Sequence, residues 1–351
     1  MPPKTATRNP AKRATLTEVA RVAGVSSPTA SAVLHSTPGN NSGFSEKTRK
    51  KVLSAAEKVG YRPNRTVRNF YRKRHGAVGL LVGPDGWLPG ETLEAMSRAA
   101  READQMLVLE HGWPGRDGLP IFVEEDAVDG LIVLSEIDEH LHETVRKLKL
   151  PMVQVNTNQR DLPGCITYDE RGGMAQAVEH LAQCGRKHIG FVSEPIEGAE
   201  HYSVTERWEG LCDACEANGL QAPLLHELEN VWISRLFQPA SIIEGATREI
   251  QSFIETQSEL DALVLAKNVY APPTYEALHR AGKEIPHDIA VIGVNPYSMI
   301  DYQNPVMTSI GLDFELLGRT IFEMLNHAIE HGMEKTHPVH FSMSLCVRES
   351  S

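Results

Sequence analysis

Between Thr15 and Leu34 the sequence prescribes two short helices joined by Gly24-Val25-Ser26, and few other pairings of elements fit such a stretch. Thr15-Leu16-Thr17-Glu18 is a capping box: the Thr15 hydroxyl can accept from the Glu18 amide while the Glu18 carboxylate reaches back, so a helix starts at Leu16. Leu16, Val19, Ala20 and Ala23 then share one apolar face, and Gly24 supplies the permissive backbone of a tight exit. Ser26 or Ser27 can cap the second helix, whose first turn tolerates Pro28. Ala30, Val33 and Leu34 form its buried side, leaving Ser27, Pro28, Thr29, Ser31 and Ala32 nearer the outside. Such a pair is a helix-turn-helix, whose second helix enters the DNA major groove. Ser45 to Val59 reads as a third helix with Val52, Ala56 and Val59 inward, ended by Gly60.

Charge supports a polyanion-binding head. Residues 1–75 carry 16 Lys and Arg against only Glu18, Glu46 and Glu57, a formal +13, so the −11 of the whole chain leaves −24 for the remainder. Much of the head's affinity should come from phosphate neutralisation and fall with salt. No apolar run suits a membrane span or a signal peptide, which places the protein in the cytoplasm over the nucleoid. Cys165, Cys184, Cys212, Cys215 and Cys346 are odd in number and scattered, against a disulfide framework; Cys212-x-x-Cys215 reads as helix packing.

From Gly76 short apolar runs alternate with amphipathic helices. Val78 to Val82, Met106 to Leu109, Leu131 to Leu134, Met152 to Val155, Ile189 to Val192, Leu263 to Leu265 and Ala290 to Val294 read as buried strands. Glu91 to Ala103, Arg171 to Gln183, Thr205 to Ala217, Pro273 to Ala281 and Phe314 to His331 read as helices. That alternation predicts parallel sheets covered on both faces, with ligands bound beyond the carboxyl ends of the strands. Asn156, Lys267, Asn268 and Asn295 follow such strands, and the first-strand exit brings Asp85 and Trp87 toward the same place. His327-x-x-Glu330-His331 has the letter order of an inverted zinc-protease motif, but only 20 residues follow for the missing carboxylate ligand, so no metal and no cofactor is expected. Phosphate loops, nucleophile elbows and dinucleotide fingerprints are absent from the sequence, which argues against an enzyme.

Thr15-Leu16-x-Glu18-Val19-Ala20-x-x-Ala23-Gly24-Val25-Ser26-x-x-Thr29-x-Ser31-x-Val33-Leu34 resembles the head of the lactose-repressor (LacI/GalR) family of bacterial transcription regulators. Ser45-x-Lys47-Thr48-Arg49 and Gly60-Tyr61-Arg62-Pro63-Asn64 resemble its third helix and hinge entry, and the match runs on to Val347-Arg348-Glu349-Ser350. The resemblance implies an all-α helix-turn-helix head plus an α/β, two-lobed core like a periplasmic binding protein. It divides the chain into a disordered basic arm (1–14), a DNA-binding domain (15–61), a hinge (62–75) and a core (76–351). Lobe one would hold 76–168 and 312–336, and lobe two 169–311 and 337–351, with crossings near Tyr168, between Ile310 and Phe314, and after His331.

For the operator, the resemblance points to Thr15, Ser26, Ser27, Pro28, Thr29, Ser31, Ala32, His35, Tyr61, Asn64, Arg65 and Val67, with Phe70 as a minor-groove wedge. Ala32 stands where the family commonly has the guanine-reading arginine, which predicts weaker base discrimination and a different operator. The effector would meet Asp85, Trp87, Asn156, Arg207, Trp232, Lys267, Asn268 and Asn295. Arg207 precedes Gly210 as the family's effector-clamping arginine does, and Trp232 matches a slot where some members hold an aromatic ring. Asn156 and Asn295 replace common aspartates, and Lys267-Asn268 a common Asn-Asp, so among sugars, sugar acids and related metabolites the expected effector is an anionic sugar derivative or a less hydroxylated compound rather than an ordinary neutral sugar. The partners implied are double-stranded operator DNA, that effector and a second copy of the chain, with no membrane. The rival readings are a DNA-binding protein with a non-functional sensor lobe, a solute-binding transport protein, or a metal-dependent enzyme.

Overall fold

Each head helix starts at a hydroxyl side chain that satisfies one of its free N–H groups. The structure is a computed structural model that describes residues 14–35, 43–62, 69, 74–83, 88–111, 118–134, 136–199, 201–229, 240–294 and 303–351. At α1 (Leu16–Ala23) the Thr15 hydroxyl accepts from the Glu18 N–H at 3.3 Å and the Glu18 carboxylate accepts from the Thr15 N–H at 2.9 Å. Gly24 closes the helix in the left-handed region, at φ 64°. Ser26, rather than Ser27, caps α2 (Ser27–His35) by accepting from the Thr29 N–H at 3.2 Å. Ser45 caps α3 (Glu46–Val59) in the same way. Val19, Ala20 and Ala23, Ala30 and Val33, and Val52, Ala55 and Ala56 bring the three apolar faces into one small core. Leu16, Leu34 and Val59 are half-buried at its margin.

Residues 1–75 and 76–351 form two separate compact units. The described residues of the second form two six-stranded sheets. Sheet one is ordered β11-β5-β4-β3-β1-β2 and sheet two β12-β10-β9-β8-β6-β7. The strands of sheet one are β1 (Ala77–Val82), β2 (Met106–His111), β3 (Gly130–Leu134), β4 (Met152–Val155), β5 (Cys165–Tyr168) and β11 (Val339–Phe341). Those of sheet two are β6 (Ile189–Ser193), β7 (Leu224–Glu227), β8 (Ala262–Leu265), β9 (Ala290–Val294), β10 (Thr308–Gly311) and β12 (Ser344–Cys346). Every pairing is parallel except β10 with β12.

The intervening helices are α4 (Gly90–Glu102), α5 (Ile121–Glu124), α6 (Glu139–Leu148), α7 (Glu170–Gln183), α8 (Tyr202–Ala217), α9 (Ala240–Thr256), α10 (Ala271–Arg280) and α11 (Phe314–His331). They cover the central strands, so β1, β3, β6, β8 and β9 are buried along their lengths. Helix α11 packs on α4 so closely that a Cβ on Gly318 would lie 2.6 Å from the Thr92 carbonyl oxygen.

The chain passes between the sheets after Tyr168, after Gly311 and after Phe341. The third passage lies later than the expected lobe boundary at 336, because β11 pairs with β5 and so keeps Val339–Phe341 in lobe one. One expected strand also differs. Met106 to Leu109 is an edge rather than a buried strand, with Met106 and Leu109 about half exposed. Its apolar side chains Met106, Val108 and Leu109 stand at an open sheet edge rather than in the interior.

Candidate nucleic-acid interface and effector site

The outer side of α2 carries short polar and small side chains, as a helix that approaches base edges requires. Pro28 and Ala32 are exposed and Ser27, Thr29 and Ser31 half-buried. The Thr29 hydroxyl lies 2.8 Å from that of Ser26, so both are already joined at the cap, with one of their two protons left to donate to a phosphate. Thr15 is exposed at the start of α1, while Tyr61 is half-buried and packs against the head core. His35 ends α2; its side chain, and Asn64, Arg65, Val67 and Phe70 entirely, lie outside the described residues. Lys47, Lys50, Lys51 and Lys58 are exposed along α3, which gives the head its cationic surface.

In the core, Asn156, Arg207, Lys267 and Asn268 stand near the carboxyl ends of strands, whereas Asp85, Trp87, Trp232 and Asn295 lie outside the described residues. Asn156 follows β4 in a left-handed conformation, φ 57°, which asparagine tolerates better than most residues. Its Oδ1 accepts from the Tyr202 hydroxyl at 2.9 Å, and its carbonyl oxygen lies 3.0 Å from His201 Nε2. Asn156 belongs to lobe one and Tyr202 to lobe two, so this contact spans the two sheets.

Arg207 is 3% exposed and held by three hydrogen bonds: Nε and one Nη donate to the Glu170 carboxylate at 2.7 and 2.8 Å, and the other Nη donates to the Ala266 carbonyl at 2.7 Å. Burial works against its charge, but the Glu170 carboxylate overcomes this and its pKa is raised. Lys267 pairs with Glu194, which also accepts from the Tyr270 hydroxyl at 2.8 Å. Burial pushes the Glu194 pKa up and the nearby Lys267 ammonium pulls it below the ordinary value, so the carboxylate is ionised. Each cation behind the expected anionic effector therefore has its own carboxylate. The excess positive charge that the sequence suggested is compensated by Glu170 and Glu194.

Asn268 differs. It is 3% exposed, and both amide atoms lack a hydrogen-bond partner among the described residues, as does the Ser193 hydroxyl at the end of β6. Buried polar atoms of this kind are costly unless water or a ligand satisfies them.

Glu170, Glu194, His201 and Tyr202 are the site residues that sequence reading passed over. Glu170 and Glu194 stand just beyond β5 and β6, where the strand-end rule would have found them.

His201 is held neutral. Its Nδ1 accepts from the Ser203 N–H at 3.3 Å, which leaves Nε2 to donate to Asn156. Burial, with Arg207 acting in the same sense, lowers its pKa below the ordinary 6.5, although the Asn156 carbonyl and the carboxylates of Glu136 and Glu170 favour the proton. The unfolded chain takes the proton at the ordinary value and the folded core only at lower pH. Core stability should therefore fall as pH drops from about 6.5 towards the folded value, then level off. Denaturant midpoints at pH 7.5 and 5.5 should show a larger acid loss in the wild type than in His201→Asn, which keeps the cap and cannot titrate. Equal losses would refute it.

Cys215 is buried, and burial pushes its thiol up to about 11, the property of an inert packing cysteine. No group of three or more His, Cys, Asp or Glu side chains is placed to hold a metal among the described residues. No described helix is long and apolar enough to cross a membrane.

Two family patterns match the chain: residues 15–64 match "Bacterial regulatory proteins, lacI family" and residues 178–351 match "Periplasmic binding protein-like domain". Curated relatives align along nearly the whole length. The HTH-type transcriptional repressor PurR of Photobacterium profundum is 27% identical over 96% of this chain and 98% of that protein. The ribose operon repressor of Halalkalibacterium halodurans is 26% identical over 96% and 97%. Among solved structures, a lac repressor bound to ONPG superposes with TM-score 0.71 at 22% identity, covering 97% of this chain and 100% of that one. A complex of the transcriptional regulator CelR with cellobiose gives 0.61 at 23%, with the same coverage. The structural likenesses carry the fold; the head pattern and the full-length relatives carry the regulatory role. The chain is a DNA-binding transcription regulator that carries the head of the lacI family of bacterial regulatory proteins at residues 15–64 and a periplasmic binding protein-like domain at 178–351, and its full-length relatives are regulators rather than enzymes.

Proposed function

We propose that this regulator represses transcription as a homodimer on a near-palindromic operator, under the control of a small molecule bound where the two lobes meet. The capped helix-turn-helix with its exposed polar α2 face carries the operator reading. Ser27, Pro28, Ser31 and Ala32 would face bases and phosphates, with His35, Asn64, Arg65, Val67 and Phe70 assigned from the sequence alone. A two-fold dimer presents two such helices to two half-sites. The exposed Met106, Val108 and Leu109 of β2 beside α4 suit the lobe-one part of the dimer surface.

Selection of binding sites from random DNA with the full chain should enrich a palindrome. Ala32→Glu, an exposed change that leaves the head core intact, should abolish that enrichment by repelling phosphates. Enrichment that survives Ala32→Glu would remove α2 from the interface.

The structural neighbours hold cellobiose and ONPG, and a relative is named for a ribose operon. A carbohydrate-like effector is the reading we take for this chain, held by Asn156, Asn268 and the groups around Arg207, with Asp85, Trp87, Trp232 and Asn295 assigned from sequence. The compensation of Arg207 and Lys267 favours a neutral compound over a sugar acid. Isothermal titration should find micromolar or tighter binding of a neutral sugar; binding confined to sugar acids would overturn the preference.

A further inference from the structure

The two lobes are joined by the chain's own side chains. On the lobe-one side, the turn after β4 is anchored to its own lobe by Glu136, which accepts from the Thr157 hydroxyl at 3.2 Å and the Asn158 N–H at 2.6 Å. Gln159 Nε2 lies 3.0 Å from His142 Nε2, on α6 of the same lobe. The first turn of α8 faces it from lobe two. The Tyr202 N–H donates to Asn158 Oδ1 at 2.9 Å, and the Tyr202 hydroxyl accepts from the Tyr168 N–H at 2.9 Å besides donating to Asn156. Arg160 pairs with Glu206 and lies 5.0 Å from the centre of the Tyr202 ring.

These contacts span the sheets at strand exits, where a ligand of an open parallel sheet binds. Tyr202 fills that place with a ring and a hydroxyl of this chain. Each lobe packs around its own sheet, so the contacts tie one lobe to the other. A ligand changes the angle between lobes only through its differential affinity for two arrangements. A molecule that used Asn156 or Arg207 would have to compete with Tyr202 or Glu170 for them.

We propose that the turn 156–160 and the first turn of α8 form a latch that holds the lobes closed without a ligand, so that an effector acts by opening them. This rests on the reading of the core as an effector sensor. Its regulatory sense differs from that of a cleft that a ligand closes.

The test uses the full chain, with no added ligand, and a variant that removes the polar links while keeping the lobe cores: Asn158→Ala, Arg160→Ala and Tyr202→Phe together. Hydrogen exchange should be slow in segments 156–168 and 201–207 of the wild type. It should rise at least tenfold in the variant, with 189–193 and the head unchanged. Operator affinity should shift at least tenfold. Arg280→Ala, which breaks the pairs with Glu244 and Glu276 in lobe two, serves as control and should change neither. Wild-type exchange as fast as the variant's, or no rise in the variant, would overturn the latch. A rise in exchange with unchanged operator affinity would overturn its regulatory role. A wild type that binds no operator would instead fault the regulator reading, and exchange alone would then decide whether the latch exists.

Discussion

Arg207→Ala should destabilise the core by about 3–5 kcal/mol, read as a fall in the denaturant midpoint of the core transition. The Glu170 carboxylate is 0% exposed, so water cannot replace the lost guanidinium, and the Ala266 carbonyl loses its donor as well. An uncompensated buried charge costs far more than the pair contributes. Arg207→Met combined with Glu170→Leu should therefore recover most of the loss, because similar volume is kept and both desolvation costs vanish. A loss under about 1 kcal/mol for Arg207→Ala would mean that water reaches Glu170 and the site is open. The double variant also separates roles. If Arg207 serves only to fix α7 against α8, sugar binding survives in it; if the guanidinium also meets the effector, binding is lost while the fold persists.

That result bears on what the sequence can show. Arg207 was legible as a site residue, but its partner was not, because Glu170 lies 37 positions away and only the packing of α7 on α8 brings them together. The same holds for Lys267 and Glu194. A sequence counts charges and cannot pair them across a fold, which is why the pocket read as cationic and the structure makes it compensated. Asn156 was legible from its place after β4, yet its role in joining lobes depends on Tyr202, which lies ahead of the helix read from Thr205 to Ala217 and so showed no pattern of its own.

The fold itself was read unevenly for similar physical reasons. Caps made the head legible almost to the residue, since Thr15, Ser45, Gly24 and Gly60 each have a local task that residue type alone determines. The long apolar strands of both sheet centres were legible because they are buried on both sides. Strands β5, β7, β10, β11 and β12 were not. They are three or four residues long and include Thr, Ser, His and Glu, too short and polar to show a period. Helix α6 was missed although Asp138 caps it, because His140 and His142 dilute its apolar face of Leu141 and Val145.

Operator affinity should fall roughly a thousand- to a hundred-thousand-fold between 50 and 200 mM salt if the dimer neutralises about 6–10 phosphates. The head's formal +13 makes that count attainable, and the exposed Lys47, Lys50, Lys51 and Lys58 on α3 supply part of it. With Ala32 and Pro28 on the reading face, fewer bases can be contacted through paired hydrogen bonds, so phosphate contacts carry a larger share of the free energy. The slope of log affinity against log salt should then be nearly the same for the selected operator and for random DNA, while their ratio stays modest. Lys50→Gln with Lys51→Gln should flatten the slope on both DNAs by up to about two for each half-site, roughly one for every phosphate no longer neutralised, without changing the preferred sequence. Ala32→Arg should do the reverse, leaving the slope nearly intact and adding a guanine preference of about 1–3 kcal/mol at one position of each half-site. Fluorescence anisotropy over a salt series on both DNAs measures each quantity. A steep slope on the operator with a shallow one on random DNA would refute the phosphate-dominated account and require base contacts from residues other than those on α2.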